Sequence, residues 1–249
     1  VAAGNRLLVI VVDGMSTAVA AELAEEALPL GWYEVVPEAD GARTAILAAL
    51  PTLTTYSRTS LLTGTLRQGG QSDEKSGFAS LTGGQVFHKA DLVGNAGEAL
   101  PGAVLAAIRS DAGMCAVVLN TVDDALAKAD PGGTAWSITG IQHLSSLLDE
   151  AGRAGRTVVL VSDHGHVVER GAPTQPVAGA EARWRALETG PLDPDREIVL
   201  SGRRVLAGGG SLIAAVDETL RYGVKQAGYH GGASAAEVVI PVIVLSRAP

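Results

Sequence analysis

Several short apolar runs along the chain lack polar alternation, and each is stopped by an acid. Residues 6–12 read RLLVIVV and end at Asp13-Gly14; Met114 to Asn120 leads into Asp123-Asp124; Val158 to His166 reads VVLVSDHGH and breaks at Asp163-His164. Strands covered by helices on both faces carry such runs, and open α/β sheets bind their ligands at the carboxyl ends of those strands. Between the runs, apolar positions follow helical spacing. Residues 18–28 (AVAAELAEEAL) fit a helix capped by Ser16 or Thr17 and stopped by Pro29, Glu98 to Arg109 a second helix, and Ile138 to Gly152 an amphipathic third. Strand alternating with helix predicts an α/β fold, a three-layer α/β/α sandwich whose mainly parallel sheet contains Leu8–Val12, Cys115–Asn120 and Val158–Ser162.

The remaining segments are less regular. Trp32 to Val36 is expected as a short edge strand and 37–42 as a polar loop. Residues 50–64, LPTLTTYSRTSLLTG, are crowded with hydroxyls, and Leu61, Leu62 and Gly64 predict a helix over Thr55–Thr63 that begins at Thr54. From position alone, Thr54 is either a helix cap or a hydroxyl facing free N–H groups at the positive end of the helix dipole. Leu66 to Gly84 reads as a loop over the site. Gly171 to Pro194 has no clean period and carries Arg183, Trp184 and Arg185, so an inserted rim region is expected across 167–210 of a single domain spanning 1–249. Ser211 to Leu220 reads as a helix and Val238 to Leu245 as the last strand, with Pro241 marking an edge or a strand start.

Composition narrows the function classes. The chain has 249 residues, enough for one large α/β domain, and is 47% apolar but only 4% aromatic, so its core must be built from Ala, Val, Leu and Ile. A net charge of −8 without a basic cluster argues against a broad footprint for duplex nucleic acid but leaves a metal-mediated phosphate site open. Cys115 is the one cysteine and reads as a small buried hydrophobe, which favours a reducing, cytoplasmic setting. No apolar run approaches the roughly 18 residues of a membrane span, and no signal-peptide pattern precedes the first strand, so no membrane association is expected. The first residue is Val rather than Met, and a piece of a longer protein is expected.

Asp163 and His164 place carboxylate and imidazole side by side, a donor pair suited to zinc or manganese; a strand-ending turn facing water would use the same residues. Acids at three strand ends, a hydroxyl-rich helix start and His230 in the loop YHGGAS make a larger set. Two divalent ions about 4 Å apart, holding the attacking and leaving oxygens of a phosphoryl transfer, need such donors from several elements.

Taken in order, Asp13-Gly14, PTLTTYSRTSLLTG at 51–64, Ser162-Asp163-His164-Gly165 and His230-Gly231 resemble the alkaline phosphatase superfamily, with its phosphodiesterases and cofactor-independent phosphoglycerate mutases. Within it, VVDGMS, FHKADL at 87–92, NTVDDAL at 120–126, DHGHVVER at 163–170 and GYHGGAS at 228–234 are most similar to PglZ domains of the phage-growth-limitation and BREX antiphage systems. The resemblance implies one divalent ion, zinc or manganese, held by Asp13, Thr54, Asp163 and His164, with Thr54 as the nucleophile. It implies a second ion at His230 and an aspartate, Asp123 in preference to Asp124. Four residues beyond that aspartate the family places His or, in PglZ-like chains, another acid; here Ala127 or Lys128 stands there, so the second site has lost a ligand unless Asp130 reaches in.

His166, beside the ligand pair, is a candidate to order His164 from behind. Arg58, one turn into the hydroxyl-rich helix, is a candidate phosphate contact or a surface salt bridge. His88, after Phe87, reads as a hydrogen-bonded structural histidine, and His143 as a solvated helix residue. The expected function is a metal-dependent phosphohydrolase, a phosphodiesterase or nuclease-like component of a bacterial antiphage system. It would act on a phosphate ester or nucleic-acid substrate through a phosphothreonine, beside other defence proteins. The alternative is a metal-stabilised scaffold or sensor subunit with weak or no turnover. Sulfatase chemistry would call for Cys or Ser at the nucleophile position.

Overall fold

The computed structural model describes residues 6–37, 41–95, 97–128 and 136–247. The chain runs through β1 (Leu7–Val12), α1 (Thr17–Ala27), β2 (Trp32–Glu34), β3 (Thr44–Leu47), α2 (Thr54–Thr63), α3 (Gln71–Thr82), β4 (Val86–Phe87) and α4 (Gly102–Arg109). It continues through β5 (Met114–Leu119), α5 (Thr121–Leu126), α6 (Leu144–Arg153), β6 (Thr157–Val161), β7 (Val167–Val168), β8 (Trp184–Arg185), β9 (Glu197–Ser201), β10 (Ser211–Ala215), β11 (Gly228–Tyr229), α7 (Ala235–Val238) and β12 (Val239–Arg247).

Among the described residues, seven strands form the main sheet, in the order β2-β12-β6-β1-β5-β4 with β3 also paired to β12. The three acid-ended runs are its centre: β1 lies between β5 and β6, parallel to both, and Val9 sits level with Ala116 and Val159. Strand pleating sends alternate side chains to opposite faces. Leu8, Ile10 and Val12 join α1, α4 and α6 in one apolar cluster, while Val11, Val118 and Val161 meet Leu62 of α2 and Phe78 of α3 in another. The result is the expected three-layer α/β sandwich. β2 is an edge strand as expected, whereas β12 is internal. Its Pro241 lies opposite Ala45, just before the ladder to β6 begins at Val242–Val161, so no hydrogen bond to β6 is lost.

Two expectations are corrected. Leu66–Gly84 is not a loop, because α3 fills most of it: Asp73 Oδ2 accepts the Gly70 N–H at 3.0 Å to cap the helix, and only Glu74 and Phe78 are buried. Its inward face carries a carboxylate where a sequence pattern needs a leucine. Gly77 lets α3 lie close on α2, since a Cβ there would sit 2.5 Å from Thr63 Cγ2. Ser211–Leu220 is not helical either; Leu212 to Ala215 are buried in β10, the middle strand of a small sheet ordered β8-β10-β9. A short, fully buried apolar run has no period that separates strand from helix. Expected helices over 98–109 and 138–152 begin later, at Gly102 after Pro101 and at Leu144 after His143, whose φ of 68° breaks the helix.

The small sheet therefore extends past residue 210, and buried ion pairs fasten it. Arg183 meets Glu237 at 2.8 Å and Arg185 meets Glu197 at 2.7 Å, with Tyr222 also donating to Glu197. No helix among the described residues is long and apolar enough to cross a membrane.

Candidate active site

The β1–β6 ladder ends with Val11 level with Val161, so the next residues of each strand emerge together at the carboxyl edge of the sheet. Asp13, Asp163 and His164 are all buried there, and one donor atom from each lies within 4.8 Å of the others. His164 Nε2 is 3.6 Å from Asp13 Oδ1 and 3.6 Å from Asp163 Oδ2. Two turns shape the cluster. Gly14 turns at a φ of +75°, and its N–H faces Asp163 Oδ1 at 3.4 Å. At Gly165 any Cβ would collide with the Ala236 carbonyl 1.9 Å away. Ser162 donates to the Val12 carbonyl at 2.8 Å and accepts from the Met15 N–H at 3.0 Å, tying the two strand ends together.

α2 brings the hydroxyl. Thr54 is the first helical residue, with Leu53 as the cap, so it does not serve as the cap residue. Its Oγ1 lies 3.4 Å from Asp13 Oδ1 and 3.3 Å from His164 Nε2. The amides of Tyr56 and Ser57 already donate to the Leu53 carbonyl; those of Thr54 and Thr55 have no carbonyl one turn behind them and face outward at the positive end of the helix.

The cluster is short of positive charge. Burial, then repulsion from Asp163, pushes the Asp13 carboxyl up to about 7, and burial raises Asp163 as well. Asp163 Oδ2 is buried without a hydrogen-bond partner. His164 directs Nδ1 to the Gly165 carbonyl at 3.1 Å and leaves Nε2 facing the carboxylates, while burial, aided by the nearby His230 charge, holds it down to about 4, in the neutral form. Two buried carboxylates, one orphaned oxygen and a neutral imidazole nitrogen fit a divalent cation.

Beside this cluster, His230 stacks on His164 with ring centres 4.2 Å apart. His230 Nε2 faces Asp123 Oδ1 at 3.4 Å and its Nδ1 faces the Thr52 carbonyl at 2.9 Å. Burial opposes its charge, but the Asp123 bond and charge outweigh it and push His230 up to about 9. Asp124 turns away to Lys89, 2.6 Å off, and Ala127 caps the end of α5. Asp130 lies outside the described residues. Among the described residues, then, a second ion is offered only Asp123 and His230, already closed on each other, and this pair does not fit one.

Arg58 is buried and forms no surface salt bridge; Nη1 donates to Asp13 Oδ2 at 2.7 Å and Nε to both oxygens of Glu74 at 3.1 Å, leaving Nη2 for any other contact. His166 donates its Nδ1–H to the Gly14 carbonyl, 2.6 Å away, so it orders the Asp13–Gly14 turn rather than His164. His88 Nε2 is bonded to Glu74 at 2.6 Å, and His143 is half-buried, its Nδ1 3.2 Å from the Ala99 carbonyl. Sequence reasoning missed Asn120, whose Nδ2 donates to Asp13 Oδ2 at 2.8 Å, and Glu74. Asn120 ends an apolar run and was open to the same reasoning as the acids; Glu74 had no such signal.

Residues 1–182 match the family model for the BREX system PglZ alkaline phosphatase-like domain. The chain belongs to the PglZ family. No curated protein sequence matches it significantly. Its fold is similar to that of phosphonoacetate hydrolase from Sinorhizobium meliloti in complex with phosphonoacetate, with 14% identity over 97% of this chain and 90% of that one and a TM-score of 0.59. It is also similar to an inactive threonine-to-alanine variant of murine ectonucleotide pyrophosphatase/phosphodiesterase 5 in complex with AMP, with 11% identity, coverage of 96% and 87%, and a TM-score of 0.57. At such identities the likeness is one of fold. It carries the alkaline phosphatase-like architecture past the end of the PglZ match.

Proposed function

We propose that this PglZ domain is a metal-dependent phosphohydrolase, a phosphodiesterase or nuclease-like component of a bacterial antiphage system, working in the cytoplasm with Thr54 as its nucleophile. The whole chain forms one domain, with the small β8-β10-β9 sheet as its rim. The observation that carries this reading is the convergence of the Thr54 hydroxyl on Asp13 and His164, 3.4 and 3.3 Å away, beside the orphaned Asp163 oxygen. A zinc or manganese ion held by Asp13, Asp163, His164 and Thr54 would lower the hydroxyl's pKa and offset charge on the phosphoryl oxygens.

The chain's own groups do the rest. Thr54 Oγ1 attacks phosphorus, the ester P–O bond breaks, the alcohol leaves, and water later cleaves the phosphothreonine. The hydroxyl proton passes to water, because the lone pairs of Asp13 Oδ1 and His164 Nε2 would be engaged by the ion, and the amides of Thr54 and Thr55 face the phosphoryl oxygens. Phosphonoacetate and AMP in the similar folds support a phosphorus-bearing anionic substrate, and the inactive threonine variant supports a threonine nucleophile. Ala127 and the closed Asp123–His230 pair favour a second reading, a metal-stabilised scaffold or sensor with little turnover.

Hydrolysis of bis(p-nitrophenyl) phosphate and p-nitrophenyl phosphate in excess manganese or zinc separates the two. Thr54→Ala should abolish turnover with an unchanged circular dichroism spectrum, and Thr54→Ser should keep part of the rate. Full turnover in folded Thr54→Ala would refute the covalent route; a folded, metal-loaded wild type without turnover would leave the scaffold reading.

A further inference from the structure

Arg58 is a buried guanidinium engaged on two sides. Nη1 donates to Asp13 Oδ2 at 2.7 Å, and Nε lies 3.1 Å from each oxygen of Glu74. Glu74 is fixed in turn by His88 Nε2 at 2.6 Å and by the Thr59 hydroxyl at 3.2 Å. Arg58 is 6% exposed, Glu74 and His88 1%, so the arrangement is closed to solvent and cannot relax into water. Asn120 Nδ2 adds a second donor to Asp13 Oδ2 at 2.8 Å.

The two oxygens of Asp13 are thereby given separate duties. Oδ2 is saturated by a guanidinium and an amide. Oδ1 alone faces Thr54 and His164, at 3.4 and 3.6 Å. A carboxylate held this way cannot chelate one ion through both oxygens, nor lend its second oxygen to another ion. The nearby donors outside the cluster, Asp123 Oδ1 and His230 Nε2, face each other at 3.4 Å, so neither they nor Asp13 Oδ2 is open to a second ion.

We propose that Arg58, held by Glu74, is a positioning residue that presents Asp13 to the metal through Oδ1 alone and keeps this centre a one-ion site. The inference rests on the metal-binding reading above. Groups that orient a ligand without touching the ion typically contribute 10–100-fold in metal affinity.

The test is isothermal titration of metal-stripped protein with MnCl2, which needs no turnover. Wild type should take up one tight ion per chain. Glu74→Gln keeps the shape but leaves the Arg58 charge uncompensated beside Asp13, and should weaken the Kd about 10-fold or more with one ion still bound. Glu74→Asp, which restores the charge, should recover part of that loss. Asn120→Ala removes a donor from Oδ2 without disturbing Glu74, and should weaken binding in the same direction, so the result does not hang on one variant's folding. A Kd within twofold of wild type for folded Glu74→Gln and Asn120→Ala, or two ions of comparable affinity in wild type, would overturn the proposal. A wild type that binds no ion would overturn the metal reading itself, a result distinct from unchanged variants.

Discussion

Two regions of this molecule bury charge, with opposite consequences. In and beside the small β8-β10-β9 sheet, Arg183 with Glu237 and Arg185 with Glu197 are complete pairs, 2.8 and 2.7 Å apart. Burial works against the Glu197 charge, but the Arg185 bond, the Asp193 N–H and Tyr222 outweigh it and hold the carboxyl down to about 2. At the sheet's carboxyl edge, Asp13 and Asp163 are equally buried, yet burial and their mutual repulsion drive Asp13 up to about 7. Burial matches; what differs is the ratio of charges, since Asp13 and Asp163 share one guanidinium, Arg58, which is itself held by Glu74. A buried acid pair left short of positive charge costs stability until something from solution completes it. The deficit, more than the residue types, marks the candidate site.

The comparison can be broken most directly by neutralising one acid in each region. Glu237→Leu strands a fully buried guanidinium and should cost about 3–5 kcal/mol in urea denaturation. Asp163→Asn in EDTA at pH 8 should act the other way: removing one of two like charges should raise Tm by roughly 2–4 °C, the equivalent of about 1 kcal/mol in a chain of this size. The same variant should lack the Tm gain expected of wild type with manganese. Destabilisation by both substitutions in the ion-free protein would end the distinction.

The pH dependence sharpens it. The folded pKa of Asp13, about 7, lies above its ordinary 3.8, so its contribution to stability is fully present below about 4 and is lost as pH rises through 7. Ion-free protein should therefore weaken between pH 4 and 7 on this account, while manganese affinity rises across that interval as Asp13 releases its proton. Glu197 has the opposite sign: its folded value of about 2 lies below 4.5, so its contribution is present above 4.5 and lost as pH falls toward 2. Melting curves at pH 3, 5 and 8, with and without manganese, resolve both. The smallest effect belongs to Lys89→Ala. Its partner Asp124 is half exposed, and the loss should stay within about 0.5 kcal/mol.

How much was legible in the sequence follows the same physics. Leu7–Val12, Met114–Leu119 and Thr157–Val161 announced themselves because a strand covered on both faces tolerates no polar residue, and their ends located Asp13, Asp163 and His164. Nothing local announced α3, whose buried positions include Glu74. That residue's role depends on Arg58 and His88, which reach it from other elements. Arg58 read as a surface or phosphate-facing residue for the same reason: only the tertiary structure shows its Nε and Nη1 already taken. Residues 211–220 read as helix in sequence because four consecutive buried apolar residues look alike in either form.

The ladder that levels Asp13 with Asp163 has a kinetic corollary. Gly14 and Asp163, which touch at the site, are 149 residues apart in the chain, and contacts of such separation form late because the entropy of closing the loop must be met first. During synthesis, an emerging chain would own its hydroxyl and its first carboxylate long before it owned a site. Metal capture would then complete folding rather than seed it, and a product released before β6 would carry Asp13 and Thr54 with nothing to hold an ion.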